Sequence, residues 1–277
     1  MALKLMYITN NPRVAEIAQN SGVERIFIDM EYIGKDMRQG GMDTVQNHHT
    51  IEDIQAVRKA VTTAEIITRI NPIHEASSAY CSSEEEINAA IQAGSDILML
   101  PFFKKVEEVR EFLRLVNGRV KTMALLETPE AVDVVDEILE LPGLDEMLVG
   151  LNDLSLGYGK KFMFELLADG TVEKLCSKFK QKGISYGFGG IGRLGQGMLP
   201  AEYIIREHYR LGSTCVILSR SFCNVNQIAN MDTIKEIFTD GVRDIRNLER
   251  ECQEQGTDYF EVNHEEVVRR VNSICGG

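Results

Sequence analysis

Short apolar runs rich in β-branched residues alternate along the chain with segments of helical periodicity. Between the runs, segments such as SSEEEINAAIQAG and KVEEVREFLRLVNG repeat their apolar residues at intervals of three and four, as one face of a helix requires. Such alternation is typical of a parallel sheet, and eight units favour a closed (β/α)8 barrel over an open doubly wound sheet. The predicted strands lie at 3–9, 25–30, 65–70, 96–100, 119–127, 146–151, 183–188 and 214–218.

Two further helical stretches follow the eighth strand, at 226–254 and 263–275, and QGTDYFEV separates them. A barrel needs one helix after its last strand, so the other helix is an additional element. We expect the additional helix to pack on a neighbouring subunit of a homo-oligomer. Residues 1–277 are expected to form a single barrel domain, with 226–277 contributing its C-terminal helices.

The composition is that of a globular protein with a full hydrophobic core. The chain has 277 residues, of which 44% are hydrophobic and 26% charged, and its length suits one barrel of about 250 residues. Thirty basic and 42 acidic residues give a net charge of -12, which disfavours nucleic acids and anionic membranes as partners.

Cellular location is predicted from the cysteines and from the apolar runs. The six cysteines are scattered without a C-x-x-C pair, which indicates reduced thiols of a cytoplasmic protein. The N-terminal MALKLMYITNNP lacks the pattern of a signal peptide, and no apolar run reaches the roughly 18 residues of a membrane span. We therefore expect a soluble, cytoplasmic protein.

A glycine-rich segment at 187–192, GFGGIG, contains the G-x-G-x-x-G pattern of dinucleotide sites. That pattern is informative when it opens the first helix of a βαβ unit and an acidic residue follows about 20 positions later. Here it follows the seventh predicted strand, and the next helix begins only near Pro200. We expect no dinucleotide site and interpret the six glycines between 187 and 197 as a flexible wall on the catalytic face.

Polar residues end several predicted strands, at the face where barrel enzymes place their catalytic groups. Glu127 and Asp153 are two carboxylates at neighbouring positions of the rim, which suits Mg2+ or Mn2+, although each could instead cap a helix or form an ion pair. Arg69 could hold a carboxylate or an enolate oxygen, or form a salt bridge to Glu31. The strand-end residues are Asp29, Glu31, Arg69, Asn71, Glu127, Asn152 and Asp153.

Around these residues the chain resembles the HpcH/HpaI aldolase and citrate lyase β-subunit family. The similarity lies in NPRVAEIAQNSGVERIFIDMEY, TRIN, ALLETPEAVDVVDEI and LVGLNDLSLGYG, and ETPEAV and GLNDLS are its most specific parts. It extends over residues 10–160 and continues weakly to 225. The resemblance implies a (β/α)8 barrel of the phosphoenolpyruvate/pyruvate-binding type, whose last helix often packs on a neighbouring subunit in dimers, trimers or hexamers.

The resemblance also implies a class II aldolase. Such an enzyme cleaves or forms a C–C bond of a 4-hydroxy-2-oxo acid, giving pyruvate or a related 2-oxo acid and an aldehyde through a metal-stabilised enolate. It implies that Glu127 and Asp153 bind the divalent metal, Mg2+ or Mn2+, and that Leu151 and Asn152 contact the substrate that chelates it.

Three more residues acquire roles from the resemblance. Arg69 matches the arginine at the keto or enolate oxygen. Glu31 matches an acidic residue that supports the water shell of the metal, and Asp29 matches one that supports proton transfer.

The chain departs from the aldolase pattern at Tyr32, where the aldolases have histidine. Tyrosine has a pKa of about 10 and is a poor base at neutral pH. Proton transfer could pass to a metal-bound water, or to His48 or His49 in GKDMRQGGMDTVQNHHTIEDI, with His74 a weaker candidate. Alternatively His49 merely precedes Thr50, the first residue of a capping-box sequence, TIED, on the surface.

Two other functions stay open at this point. RIN at 69–71 is more similar to the citrate lyase β-type branch, which acts on 3-hydroxyacyl-CoA thioesters, but that branch usually has an acidic residue where Tyr32 stands. The net charge weakly disfavours the anionic CoA. A barrel that binds a 2-oxo acid without turnover is the third possibility, because the family histidine is absent.

Overall fold

Eight parallel strands form a closed barrel in a computed structural model that describes residues 2–34 and 47–276. Each strand pairs with the next one along the chain, and the eighth pairs with the first. The closed ring confirms the predicted (β/α)8 barrel and excludes the open doubly wound sheet. The strands are β1 (Lys4–Ile8), β2 (Arg25–Asp29), β3 (Glu65–Arg69), β4 (Ile97–Leu100), β5 (Lys121–Leu126), β6 (Glu146–Val149), β7 (Ser185–Ile191) and β8 (Cys215–Leu218).

Helices between the strands cover the outside of the barrel. Their buried residues form one hydrophobic cluster with the outward side chains of the sheet. They are α1 (Pro12–Asn20), α2 (Ile51–Ala60), α3 (Ser83–Ala93), α4 (Val106–Val116), α5 (Pro129–Asp133), α6 (Val135–Ile138), α7 (Leu151–Gly157), α8 (Glu165–Ala168), α9 (Thr171–Lys182) and α10 (Ala201–Leu211). A 3-10 turn (Val225–Gln227), α11 (Met231–Gln253) and α12 (Thr257–Cys275) follow β8.

The last two helices pack on the barrel of their own chain. Helix α11 contacts α1 and α10 and so closes the outer ring, whereas α12 contacts α8 and α10. The buried residues of α12 include Asn263, whose amide donates to the carbonyl of Tyr203 and to the Glu207 carboxylate. We expected a neighbouring subunit at this helix; in the single chain its buried face meets the barrel itself, and oligomerisation stays a prediction.

The predicted start of the last helix was wrong. The helix begins at Thr257 rather than at 263, so most of QGTDYFEV is helical. Its first turns carry Tyr259 and Phe260, whose rings meet edge to face, and such aromatic residues have modest intrinsic helix propensity. Tertiary packing against α10 therefore determines where this helix begins.

Alternation of side chains along the strands places the polar groups of the barrel interior. Successive residues of a strand point to opposite faces, so Arg25, Phe27 and Asp29 of β2 all point inward. Phe27 belongs to an apolar layer inside the barrel, and Arg25 and Asp29 lie at its two ends. The other members of this layer are Met6, Ile67, Ile97, Met99, Met123, Leu125, Leu148 and Cys215.

A buried ion pair closes the lower end of the barrel, where the strands begin. The Arg25 side chain is fully buried, and its two terminal nitrogens donate to Glu146 at 2.7 and 2.5 Å. Its Nε donates to Glu65 at 3.0 Å, and Glu65 also pairs with Lys121. A bidentate guanidinium–carboxylate pair is the arrangement that best compensates the burial of charge.

Removal of Glu146 is expected to destabilise the fold strongly, because it leaves most of the Arg25 charge buried without compensation. We expect Glu146→Ala to lower the free energy of unfolding by about 3–5 kcal/mol, measured by urea denaturation. Glu111→Ala is the control, since Glu111 pairs with Arg114 on the surface, and exposed pairs contribute little to stability. Equal effects of the two substitutions would contradict a structural role of the buried pair.

The glycine-rich segment lies mostly within β7 and not at the start of a helix. A Cβ on Gly187 would lie 2.2 Å from the carbonyl oxygen of Cys215, so only glycine lets β7 pair closely with β8 here. The register between these strands shifts between Gly187 and Gly190. Residues 187–191 are therefore an irregular strand, where we expected the start of a flexible loop. Residues 192–197 lie in the connection to the next helix, which begins at Ala201.

The predicted cellular location can be compared with the state of the cysteines and with the length and polarity of the helices. All six cysteines are free thiols, as the sequence predicts. Among the described residues, every helix is either too short or too polar to cross a membrane. The cytoplasmic location itself stays a prediction.

Candidate functional site

A cavity of about 360 Å3 opens at the upper end of the barrel, where the strands end. This volume is in the range of small-molecule sites. Most of the strand-end residues singled out from the sequence meet there, although they come from five different segments of the chain. The strand-end residues that line it are Asp29, Arg69, Glu127, Asn152 and Asp153, joined by the other predicted site residues His49 and Leu151. Glu31 is buried beside Arg69.

Glu127 directly follows β5, and its carboxylate is held in place. It continues the inward alternation of Met123 and Leu125 and is only 3% exposed. The backbone N–H of Phe102 donates to its Oε1 at 3.0 Å. Phe102 has φ of +48°, a left-handed conformation that is unfavourable for a bulky residue, and such strain concentrates at functional sites.

Asp153 reaches the same cavity from the first turn of α7. Gly150, which precedes this helix, lies against Glu127. A Cβ there would lie 2.8 Å from Glu127 Cβ and 2.9 Å from its Oε2. Glycine at this position therefore allows the connection from β6 to α7 to pass beside the Glu127 carboxylate, which brings both acids to one wall.

These two carboxylates fit a hard divalent cation. Mg2+ is usually bound through one or two carboxylates, and waters and substrate oxygens fill its remaining positions. Within 2–34 and 47–276, no group of three or more histidine, cysteine or acidic residues could hold a metal alone. Glu127 and Asp153 thus suit an ion whose remaining coordination positions are filled by a bound ligand. Glu127 does not cap a helix, because the Thr128 side chain caps α5.

Arg69 ends β3 and lies between two acidic residues. Its Nε and Nη2 each donate to the Asp29 carboxylate at 2.8 Å, and Nη1 lies 3.2 Å from Glu31. Burial would lower the pKa of Arg69, but Asp29 and Glu31 raise it above its ordinary value. The salt bridge to Glu31 that we considered exists, and the guanidinium nevertheless lines the cavity as a fixed positive charge.

His49 and Asn47 enter the site from the segment before α2. The backbone N–H of Asp29 donates to His49 Nδ1 at 3.0 Å, and Asn47 donates to Asp29 Oδ2 at 3.1 Å. The next residue, Thr50, forms the predicted capping box with Asp53. His49 is therefore a residue of the cavity as well as the neighbour of a helix cap. Most of the segment singled out around it, 35–46, lies outside the described residues.

The other candidates for proton transfer lie elsewhere. His48 is exposed, and both ring nitrogens of His74 contact carbonyl oxygens, of Pro72 at 2.7 Å and of Cys81 at 2.8 Å. Tyr32 is 40% exposed, and burial together with the Glu86 carboxylate raises its pKa. A tyrosine with a raised pKa is still less suited to act as a base.

Asn71 has a structural role. Its side-chain oxygen accepts the N–H groups of Tyr32 and Ile33, and its amide donates to Glu86 at 2.8 Å. It holds the chain that follows β2, and it does not contribute to the cavity wall.

The sequence did not predict one wall of the cavity. It is formed where β1 and β8 end, and Arg220 is its charged residue among those described. Thr9, Asn10, Ser219 and Arg220 end or directly follow the first and last predicted strands, so the strand-end rule that indicates Glu127 also indicates them. The polar members of this wall are Tyr7, Thr9, Asn10, Ser219, Arg220, Asn224 and Asn226.

Fold and site together define a (β/α)8 barrel with paired carboxylates and an arginine at its upper rim. The sequence profile of the HpcH/HpaI aldolase/citrate lyase family matches residues 4–184, and the chain belongs to this family. At the level of the family it is a carbon–carbon lyase.

Solved structures show the same fold. An HpcH/HpaI aldolase/citrate lyase family protein from Burkholderia cenocepacia J2315 superimposes with a TM-score of 0.62, covering 85% of this chain and 95% of that protein. An HpcH/HpaI aldolase from Desulfitobacterium hafniense DCB-2 gives 0.60, covering 85% and 93%. The citrate synthase SbnG gives 0.61, covering 85% and 94%. All three are 16% identical to this chain, so they show the fold alone.

A short stretch is also similar to another kind of enzyme. Over 71 residues, 26% of this chain, the sequence is 32% identical to pyruvate kinase from Methylorubrum extorquens. The stretch covers 14% of that enzyme's length.

Proposed function

We propose that the protein is a class II aldolase that cleaves or forms a C–C bond of a 4-hydroxy-2-oxo acid, with pyruvate or a related 2-oxo acid and an aldehyde as the other reactants. The observation that supports this most is the convergence of Glu127, Asp153 and Arg69 on one cavity at the upper end of the barrel. Two acids for a cation and a fixed guanidinium are what an enolate requires.

Glu127 and Asp153 are the residues that would hold the divalent cation, Mg2+ or Mn2+. The family is generally dependent on a divalent metal. When bound, the ion supplies positive charge that favours the 2-oxo acid as its negative charge develops. The Phe102 N–H fixes the Glu127 carboxylate, so little reorganisation is needed on binding.

Arg69 stabilises the charge that develops on the substrate. Cleavage breaks the C3–C4 bond of the 4-hydroxy-2-oxo acid, and its electron pair passes to the three-carbon fragment as an enolate, while the C4 hydroxyl loses its proton. The guanidinium of Arg69 stabilises the enolate oxygen. Asp29 and Glu31 hold the guanidinium in one orientation and keep it charged.

In this proposal Leu151 and Asn152 line the part of the cavity that holds the substrate. Leu151 is buried and packs over Gly189, where a Cβ would lie 2.7 Å from Leu151 Cδ1. Asn152 is exposed and lines the cavity beside Asp153. Glycine in β7 thus makes room for Leu151 at the base of this part of the cavity.

Pyruvate release tests the proposal. In an assay coupled to lactate dehydrogenase, the protein should release pyruvate from 4-hydroxy-2-oxo acids, and it should condense pyruvate with a panel of aldehydes. EDTA should abolish both reactions, and Mg2+ or Mn2+ should restore them, because the carboxylates alone cannot replace the cation. Turnover that is indifferent to EDTA would contradict the metal-dependent mechanism.

Turnover of CoA thioesters and binding of 2-oxo acids separate the other two functions. A thioester lyase would act on 3-hydroxyacyl-CoA substrates and leave free acids unchanged. The bonds of Asn71 to the chain after β2 and to Glu86 explain this residue without such a substrate. A binding barrel would bind pyruvate or oxalate in the presence of metal without turning over either class.

A further inference from the structure

The hydrogen bond between the main chain of Asp29 and the ring of His49 fixes the tautomer of that ring. The Asp29 N–H donates to His49 Nδ1 at 3.0 Å, and the His49 N–H donates back to the Asp29 carbonyl at 3.2 Å. A backbone N–H can only donate, so Nδ1 must carry its lone pair toward it. The opposite ring orientation would place a carbon atom against this N–H. Neutral His49 therefore carries its proton on Nε2.

The segment that presents His49 is anchored on both sides. Thr50 accepts the N–H of Asp53, and Asp53 accepts that of Thr50 at 2.9 Å, which fixes the start of α2. Asp53 also accepts from Asn10 at the end of β1, and Asn47 donates to Asp29. The ring is thus held by the helix start and by two strand ends.

This geometry disfavours His49 as a general base. Nε2 already bears a proton, and Nδ1 can accept one only if the bond to Asp29 breaks and leaves a backbone N–H without its acceptor. Donation from Nε2–H, in contrast, leaves the bond between Nδ1 and the Asp29 N–H intact. The tautomer is therefore preset for donation.

We propose that His49 acts as a neutral hydrogen-bond donor, through Nε2–H, to the oxygen on C4 of the substrate. The role rests on the proposed aldolase function. In the condensing direction, the enolate carbon forms the C3–C4 bond and the aldehyde π electrons move to oxygen. His49 stabilises the resulting alkoxide, which then takes a proton from water. In cleavage, the C4 hydroxyl gives its proton to water, and the same hydrogen bond stabilises the alkoxide.

Three substitutions distinguish a donor from a base. Gln can place an amide N–H near the position of Nε2, whereas Asn can accept the Asp29 N–H but has no group at that position. We expect His49→Gln to retain at least about a tenth of the wild-type kcat, and His49→Asn and His49→Ala to lose about 100-fold or more. His48→Gln is the control, because His48 is exposed, and it should leave kcat unchanged.

Equal inactivation by Gln, Asn and Ala in an active wild type would overturn the donor role. Absence of turnover in the wild type would instead contradict the aldolase function. A second measurement does not depend on turnover: 15N NMR of the histidine rings, with the His49→Gln spectrum identifying the His49 signals. We expect a protonated Nε2 and an unprotonated Nδ1 at neutral pH, and the opposite tautomer would also overturn the donor role.

Discussion

Glu127→Gln is expected to lower kcat/KM by more than about 100-fold, because loss of a group that only supports a metal ligand already costs about 10–100-fold. Gln keeps the size of the side chain and an oxygen for the Phe102 N–H, so the fold should be preserved. What disappears is one of the two carboxylate charges that would hold the cation. We therefore expect the affinity for Mn2+, measured by titration calorimetry, to fall together with the activity.

Glu130→Gln is the matched control for this substitution. Glu130 lies three residues further along, undergoes the same chemical change, and pairs with Lys104 on the surface. It should change neither Mn2+ affinity nor turnover by more than about twofold, because exposed pairs contribute little. Wild-type Mn2+ affinity in Glu127→Gln would refute the assignment of this residue as a metal ligand.

Arg69→Lys should lower kcat by about 100- to 1000-fold, the usual cost of removing a donor from a developing oxyanion. Lysine keeps the positive charge but not the planar fork, so it cannot hold Asp29 through two parallel bonds while a third nitrogen faces Glu31. The charge is then no longer fixed relative to the substrate. Mn2+ affinity should change little, since Glu127 and Asp153 are untouched.

Arg58→Lys controls for the general effect of replacing a paired arginine. Arg58 bonds Asp96 at 2.8 Å and the carbonyl of Val61, and it lies outside the cavity. Its substitution should leave kcat within about twofold of the wild type. A similar loss of kcat in both variants would show that the Arg69 effect reflects altered folding, and circular dichroism melting curves would confirm it.

The strands were predictable because each is a short run of β-branched and apolar residues, and segments of helical periodicity separate successive runs. The largest error fell in β7, which extends to Ile191, three residues beyond the predicted end. Glycine has low strand propensity, and the need for close approach to Cys215 is visible only once β7 and β8 are paired. The start of α12 was missed for a related reason, since its packing on α10 outweighs the weak helical signal of its first turn.

The site was predictable to the extent that it depends on strand ends. Asp29, Arg69 and Glu127 each follow an apolar residue two positions earlier that points into the barrel, so their direction follows from the alternation along a strand. The backbone donor at Phe102 and the glycine at 150 could not be found in this way. Both act through contacts across the fold, with no local pattern in the sequence.

The apolar layer inside the barrel separates two charged ends. Arg25 and Asp29 are the first and last residues of β2, so about 13 Å of strand lies between them. At each end an arginine is paired with an acid, Arg25 with Glu146 and Arg69 with Asp29, which shortens the range of the fields of these pairs. Effects of residues so far apart are usually additive. Substitutions at the upper rim should therefore have little effect on the ion pair at the lower end. Substrate preference can evolve at the rim without loss of the contacts that stabilise the barrel.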